Sequence, residues 1–411
     1  MKTKYTVEKL DDLLTDVIDC PHSTPRWSVS GKRVVRNFNL KDGNLDFSDG
    51  YFVDEGTYLA RVRRGRPEAN DIIISREAPI GTVGIVSPGL ECCLGQRLVL
   101  LKVDKEKCSP HYLLFALMSE YAQTQFRRAN ATGSIASNLT IPDLKEVTVP
   151  IVDDQEEAGE LLWSINEAIQ LNHQINDNLE QQAKLLYDYW FIQFDFPDEN
   201  GKPYHTSGGK MVWNELLKRD IPVDFRAIPF LEVASWESNS QPPKNEFIYE
   251  PKEGYVRFIQ NRDYNSNTHM TYIPLTQNLS VVDRFDILMD KYGDAGAVRY
   301  GIEGAFNVAL GKICVHNQNY KEYIRSFLSS DSIYNYLHNS CMASTRSSLN
   351  ESNLAMLNIL IPDKKIIFEY EKLLHKIRLS ILQNNDETQM LIDLRDWLLP
   401  MLMNGQATIS D

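Results

Sequence analysis

EEAGELLWSINEAIQLNHQINDNLEQQAKLLYDYWFIQF, residues 156–194, decides the architecture. Read at every third and fourth position, it gives Leu162, Ile165, Ile169, Asn172, Asn176, Leu179, Ala183, Leu186 and Trp190. That is an apolar heptad seam with two asparagines in its middle. No Pro or Gly falls between Gly159 and Pro197, and Glu, Gln, Ala and Leu favour a helix throughout. At 1.5 Å per residue such a helix would be roughly 60 Å long, which suits a rod better than a core helix.

The seam recurs near the C-terminus. Adding 212 to the first eight positions lands on Leu374, Ile377, Ile381, Asn384, Thr388, Leu391, Arg395 and Leu398. Seven of the eight keep the residue type or exchange one small or polar residue for another; Arg395 for Ala183 is the exception. The polar break falls in the same register, so the chain reads as a duplication whose halves each end in a long helix.

The 411 residues suffice for two or three domains with real cores. Apolar runs such as LVLLKV are far too short to span a membrane. The start, MKTKYTVEKLDDLL, has no signal-peptide core. Six cysteines lack CxxC spacing and disulfide density, so reduced thiols and a cytoplasmic location are expected. The net charge of −13 is uneven: residues 151–224 hold 15 acidic and 5 basic side chains, whereas residues 1–150 are close to neutral. An acidic rod suits solvent or a basic partner, so a DNA-binding face must come from local clustering in the flanking blocks.

Residues 1–150 read as a β-rich block: YLARVRR, DIIISRE, GTVGIVS, LVLLKV and KEVTVPIV, separated by turn signals, with a helix at HYLLFALMSEYAQTQFRRA. Residues 225–362 repeat the order. YVRFIQNRDY takes the place of YLARVRRG, FDILMDKYGDAGAVRYG that of NDIIISREAPIGTVGIV, and YKEYIRSFLSSDSIYNYL that of the helix. Four apolar positions, Leu139, Leu144, Val147 and Val149, fall on Leu349, Leu354, Leu357 and Ile359. The expectation is an α+β chain with two α/β domains, 1–150 and 225–362. A long helix and ordered connector occupy 151–224, and a C-terminal helix over 363–411 pairs with the central one in an antiparallel two-helix coiled coil. The internal repeat gives the whole a pseudo-twofold.

This layout resembles the specificity subunit of type I restriction–modification systems. The wording agrees at Val17-Ile18-Asp19-Cys20-Pro21-His22-Ser23-Thr24-Pro25, at Gln181–Phe191, and at Phe196-Pro197-Asp198 with Gly201-Lys202-Pro203-Tyr204 and Ser207–Trp213. The resemblance spans the chain, being strong in the helical regions and weak inside the two blocks. It implies two target-recognition domains, each reading half of a bipartite site in double-stranded DNA, and a helix pair that sets the spacer. It also implies two methyltransferase subunits docked on the helices and restriction (translocase) subunits. S-adenosylmethionine and ATP would sit on those partners, and no cofactor on this chain.

Motif chemistry agrees with that division of labour. The single Pro-Pro pair, Gln241-Pro242-Pro243-Lys244, lacks the acidic or amide residue and the aromatic of a base-receiving methyltransferase loop. GxxxxGK[ST], HExxH, paired CxxC and GxSxG are absent, and the eight histidines show no metal-ligand spacing. No catalytic and no metal-ligating residue is assigned.

Candidate DNA contacts in the first block are Arg61, Arg63, Arg64 and Arg66. A strand over 58–64 would put Arg61 and Arg63 on one face, where arginine can pair with guanine or clamp a phosphate; a charged, solvated edge strand is the competing reading. Arg76 would face DNA or pair with Glu77, and Ser134, Ser137 and Asn138 lie in a small-residue loop. In the second block the candidates are Gln260, Asn261, Arg262, Lys291, Tyr292 and Arg299, with the loop residues Arg346, Ser347 and Asn350. Their amides suit adenine, although the same residues are ordinary in turns. Antiparallel pairing of the seams sets Asn176 against Asn384 and Asn172 against Thr388, a polar patch that fixes the register. A different class of function fits the same layout: a non-catalytic coiled-coil adaptor whose duplicated domains bind protein.

Overall fold

The computed structural model describes residues 5–48, 50–77, 79–131, 139–264, 267, 269–342 and 348–409. The chain forms two compact units, Met1–Asn172 with Asp386–Asp411 and His173–Asn385. The division runs through both long helices, so each unit owns a piece of each.

The first unit begins with strands β1 (Tyr5–Lys9), β2 (Leu14–Asp19), β3 (Lys32–Val35), β4 (Leu40–Lys41), β5 (Asn44–Leu45) and β6 (Phe52–Val53). Helix α1 (Glu55–Arg61) follows, then β7 (Ile72–Ser75), β8 (Val83–Ile85), β9 (Cys92–Leu94) and β10 (Leu98–Val103). Helices α2 (Pro110–Met118), α3 (Glu120–Ala131) and α4 (Ile141–Glu146), strand β11 (Thr148–Val152) and the long α5 (Gln155–Tyr187) complete this half of the sequence. A four-stranded antiparallel sheet in the order β2-β10-β7-β8 is its centre. Strands β7, β8 and β10 are buried almost throughout, which is why they read as continuous apolar runs, whereas β2 at the edge is partly exposed. Ile72, Ile74, Val99 and Leu101 pack on α2, while Ile73, Leu98 and Leu100 pack on Val35 and Leu94. Beside it β3 pairs in parallel with β9 and antiparallel with β6.

The second unit contains the hairpin β12 (Met211–Asn214)–β13 (Arg219–Pro222), then β14 (Arg226–Pro229), β15 (Ala234–Ser238), β16 (Tyr255–Ile259) and β17 (Tyr272–Pro274). It continues with β18 (Val281–Val282), β19 (Ile287–Asp290), β20 (Val298–Arg299), β21 (Gly304–Phe306) and β22 (Leu310–Val315). Helices α6 (Lys321–Ser329), α7 (Asp331–Met342) and α8 (Glu351–Leu354), strand β23 (Asn358–Ile361) and helix α9 (Lys364–Met403) close the chain. The topology of the first unit returns: β15-β22-β19-β20 as the central antiparallel sheet, β16 parallel to β21, and β14 antiparallel to β23 as β1 is to β11. Individual hydrogen bonds return too. The Tyr112 hydroxyl donates to the Pro150 carbonyl at 2.9 Å, and the Tyr323 hydroxyl to that of Leu360 at 2.6 Å.

Three expectations change. YLARVRR is not a strand: Asp54 accepts a hydrogen bond from the Thr57 N–H at 2.7 Å and starts α1, which buries Tyr58 and Arg61. The counterpart of YVRFI is therefore β3, KRVV, because β3 and β16 hold the same parallel pairing. The central helix ends at Tyr187 and passes into a wider turn over Asp188–Ile192. In the connector, Phe225 packs against Phe194 and Phe196, whereas Trp213 on β12 is 53% exposed.

Each unit packs its two helix pieces antiparallel. In the first, Arg395 of α9 donates to Asn166 of α5 at 3.4 Å, and Gly159 approaches α2 so closely that a Cβ there would lie 2.6 Å from the Tyr112 nitrogen. In the second, Arg378 of α9 pairs with Glu180 of α5. Among the described residues no helix is long and apolar enough to cross a membrane.

Candidate nucleic-acid interface

In the first unit the candidate surface is built around the turn from β7 to β8. Gly81 makes it tight: it has φ +77°, and a Cβ there would come within 2.5 Å of the Phe126 ring. Its N–H donates to the Ser75 carbonyl at 2.9 Å. Arg76, next in line, is largely spent on the protein. Its amide donates to the Arg97 carbonyl (2.9 Å), its Nε to the Leu139 carbonyl (2.7 Å), and one terminal nitrogen to both Asp19 oxygens at 3.0 and 3.1 Å. Glu77, the partner weighed from sequence, takes Arg97 instead at 3.0 Å. Arg97 has a left-handed backbone (φ 68°), an uncommon conformation for a side chain of this size. Arg76, Glu77, Gln96, Arg97 and His22 line a surface cavity of about 260 Å³.

The expected arginine cluster separates. Arg61 is 8% exposed and donates to the carbonyls of Leu94 (2.8 and 3.0 Å), Ser23 (3.1 Å) and Pro21 (3.4 Å), so it is not on the surface. Arg66 is exposed and pairs with Glu91. Arg63 and Arg64 are exposed and, among the described residues, form no ion pair. Ser134, Ser137 and Asn138 lie outside the described residues. The next residue, Leu139, is anchored beside Arg76, its N–H donating to the Arg76 carbonyl at 2.9 Å.

In the second unit the matching turn follows β19. Lys291 stands where Arg76 stood: its amide donates to the Ala309 carbonyl (2.8 Å), and its own carbonyl accepts from Leu349 (3.0 Å). Its Nζ lies 3.1 Å from the Ser238 hydroxyl and 5.7 Å from the Trp236 ring centre, and burial pulls its pKa below the usual lysine value. Tyr292 beside it is half exposed. Arg299 turns inward onto Asp290, with contacts of 2.8 and 3.2 Å, and reaches Asp294 at 3.3 Å. Burial nevertheless raises the Asp290 pKa, with hydrogen bonds from Arg299 and Asn261 opposing the rise. Gln260 donates from its side chain to Thr271 at 3.2 Å, and Arg262 is exposed with a long, 3.8 Å approach to Asp263. Asn350 caps α8, accepting from the Ser352 N–H at 2.9 Å. Arg346 and Ser347 lie outside the described residues.

The repeat brings out residues that the sequence reading passed over. Gln260 N–H donates to Asp263 at 3.0 Å, and Arg36 N–H donates to Asn39 at 2.8 Å in the same kind of turn after the matching strand. Arg36-Asn37-Phe38 is thus the counterpart of Gln260-Asn261-Arg262. The available signal was RVVRNFN, an apolar strand running into an Asn-rich turn of the same length as that in FIQNRDY. The Asn37 side chain donates to the Glu77 carbonyl at 2.7 Å, which ties this turn to the cavity around Arg76.

On the helices, Asn176 donates to Asn385 at 2.8 Å and accepts from Asn384 at 2.9 Å, all within the second unit. Asn172 and Thr388, both in the first unit, are buried, and the Asn172 Nδ2 and Thr388 Oγ1 have no hydrogen-bond partner among the described residues. Asn176 therefore bonds to two amides where one was expected, and the expected pairing of Asn172 with Thr388 forms no bond through these atoms.

A family model described as the type I restriction modification DNA specificity domain matches residues 34–181 and 222–392. The chain is similar to the type I restriction enzyme MjaIX specificity subunit of Methanocaldococcus jannaschii, with 24% identity over 83% of this chain and 78% of the relative. It is similar to the HindI specificity subunit of Haemophilus influenzae, with 23% identity over 78% and 79%. Its fold matches the crystal structure of a type I restriction–modification S subunit from M. genitalium, with a TM-score of 0.62 at 16% identity over 100% of this chain and 98% of that one.

Proposed function

The chain belongs to the type I restriction–modification DNA specificity domain family, and on that premise we propose how it reads DNA. It is the sequence-specificity subunit of such a system, and each unit's recognition domain reads one half of a bipartite duplex site. The observation that carries the reading is the repeated fold with different side chains at matched places. Arg36 takes the place of Gln260 and Phe38 that of Arg262, on turns whose first N–H donates to the side chain of Asn39 or Asp263, and Arg76 takes the place of Lys291, on turns held by matching main-chain bonds. One scaffold with two sets of side chains is what two different half-sites require.

The chain leaves chemistry to other subunits. Methyltransferase subunits, two in our reading, would dock on the long helices, and restriction subunits would complete the assembly. S-adenosylmethionine and ATP would be held by those partners. Docking on the helices is supported by large apolar side chains that α5 and α9 leave in solvent: Leu161, Leu171, Met390 and Trp397 in the first unit, Leu185 and Phe368 in the second. With residues 151–224 carrying 15 acidic against 5 basic side chains, the isolated chain should bind DNA poorly and the assembled one well. We assign the helix pair the role of setting the spacer.

The test is to exchange residues 1–150 for the same block of a relative and sequence the methylated sites of the host. One half of the motif should change, and the other half and the spacer should stay. A change in both halves refutes independent reading. A protein adaptor would show no motif at all and no salt-dependent shift of duplex DNA with the methyltransferase subunit present.

A further inference from the structure

Three aromatic side chains in the first unit stand partly in solvent around one cation. Trp27, Phe38 and Tyr51 are 42%, 39% and 36% exposed. Trp27 and Tyr51 meet edge to face at 5.1 Å, and Phe38 and Tyr51 lie 5.6 Å apart. The Arg36 guanidinium carbon sits over all three, 4.5 Å from the Tyr51 centre, 4.7 Å from Phe38 and 5.8 Å from Trp27. Such stacking orders an arginine while leaving its N–H groups unspent. Among the described residues the Arg36 guanidinium makes no hydrogen bond and no ion pair. Arg61, Arg76 and Arg299 differ on this point, having given their donors to carbonyls and carboxylates within the protein.

Two placements say what Arg36 is for. Its turn is the structural counterpart of Gln260-Asn261-Arg262, and Asn37 joins that turn to the cavity lined by His22, Arg76, Gln96 and Arg97. We propose that Arg36, held by Trp27, Phe38 and Tyr51, reads a guanine in the half-site recognised by the first domain. An ordered planar fork with free donors matches the O6 and N7 acceptors that guanine alone presents together in the major groove. A phosphate needs the charge but not the fork, which gives the proposal its test. The inference rests on the reading of the chain as a DNA-specificity subunit.

The experiment uses the full chain assembled with its methyltransferase subunits, carrying Arg36→Lys or Arg36→Gln, with the wild-type complex alongside. Methylated motifs and binding to duplexes substituted at each position of the first half-site are measured, and melting temperatures check folding. The wild-type half-site assigned to residues 1–150 should contain a G·C pair. Both variants should lose about tenfold or more of the discrimination at that pair and keep the second half-site unchanged. Lysine retains the charge, so Arg36→Lys should keep the salt dependence of binding while losing the base preference. A half-site without a G·C pair overturns the proposal. So do variants that keep full discrimination, and so does a uniform loss across all sequences with a shallower salt slope, which marks a phosphate contact. If the wild-type complex yields no bipartite motif, the specificity reading itself falls and this inference with it. A bipartite motif left intact by both variants removes Arg36 alone.

Discussion

Replacing Arg61 should unfold part of a domain rather than weaken its grip on DNA. The side chain is buried and its N–H groups donate to three carbonyls, those of Leu94, Ser23 and Pro21. Arg61→Ala leaves those acceptors without their donor, at about 1–3 kcal/mol for each buried group that goes unsatisfied. The Ser23 segment is exposed and water can reach it, so the net cost should be about 2–4 kcal/mol. Arg61→Lys should recover little of this, because a single ammonium cannot span three carbonyls as the planar fork does. Arg63→Ala with Arg64→Ala provides the contrast. Both residues are exposed and unpaired among the described residues, so stability should move by less than about 0.5 kcal/mol. If they touch phosphates, the slope of log affinity against log salt should fall by about one for each phosphate no longer neutralised. Hydrogen exchange over residues 21–25 and 92–95, combined with guanidinium unfolding, reads the first effect; duplex binding across a salt series reads the second. An Arg61→Ala complex with unchanged exchange but altered base preference would refute the structural role.

Three further outcomes are expected in other parts of the molecule. Asn172→Leu together with Thr388→Val removes two buried polar atoms that lack partners, and should raise stability by about 1–3 kcal/mol while weakening the register; a lower melting temperature would contradict this. Burial pushes the Glu371 carboxyl up to about 7 from the ordinary 4.5, against the pull of the Glu322 and Tyr323 N–H groups at 3.1 and 2.8 Å. The folded state then holds that proton more tightly than the unfolded one, so the contribution is full below pH 4.5 and is lost as pH rises through 7. Its size is on the order of 3 kcal/mol, and the unfolding midpoint of wild type should fall between pH 4.5 and 7 more steeply than that of Glu371→Gln. Matched insertions of four residues after Asn176 and before Asn384 add roughly 6 Å to each helix. The methylated motif should gain one or two base pairs of spacer and keep both half-sites; an unaltered spacer with intact activity would show that the helices do not set it.

What could be read from the letters alone was periodic. The helices announced themselves because burial recurs every three or four residues whatever the side chains are, and the break at Asn172 and Asn176 recurs 212 residues on as Asn384 and Thr388. The β-runs of the central sheets were visible because strands buried on both faces must be apolar throughout. YLARVRR misled because alternate arginines imitate a strand, whereas the Asp54 cap and the buried Tyr58 and Arg61 belong to a helix. The reading face was the least legible. Arginine is the same letter whether it clamps carbonyls, as Arg61 does, neutralises a carboxylate, as Arg76 and Arg299 do, or stands on aromatic rings with its donors free, as Arg36 does. The first two kinds have spent their donors on the protein, the third holds them ordered and free, and nothing local in RVVRNFN distinguishes it.

The repeat also explains how one fold can serve two half-sites. At the turn that leaves the central sheet, the matched bonds that hold the backbone are main-chain ones. The amide after β7 reaches the Arg97 carbonyl, and the amide after β19 reaches that of Ala309. Leu139 and Leu349 donate to the carbonyls of Arg76 and Lys291 in the same way. None of these bonds depends on the side chain at position 76 or 291, and at the Arg36 and Gln260 turns the oxygens that accept from the backbone belong to Asn39 and Asp263, so either displayed residue can change without loss of those bonds. Where a side chain does hold the frame, the replacement must be made elsewhere. Arg76 reaches back to Asp19 on β2, whereas in the second unit Arg299 supplies the ion pair, to Asp290 on β19. A recognition domain built this way can change what it reads at the turns while its sheet and its helix stay as they are, because main-chain groups, Asn39 and Asp263 hold the backbone at those turns whatever side chain is displayed beside them.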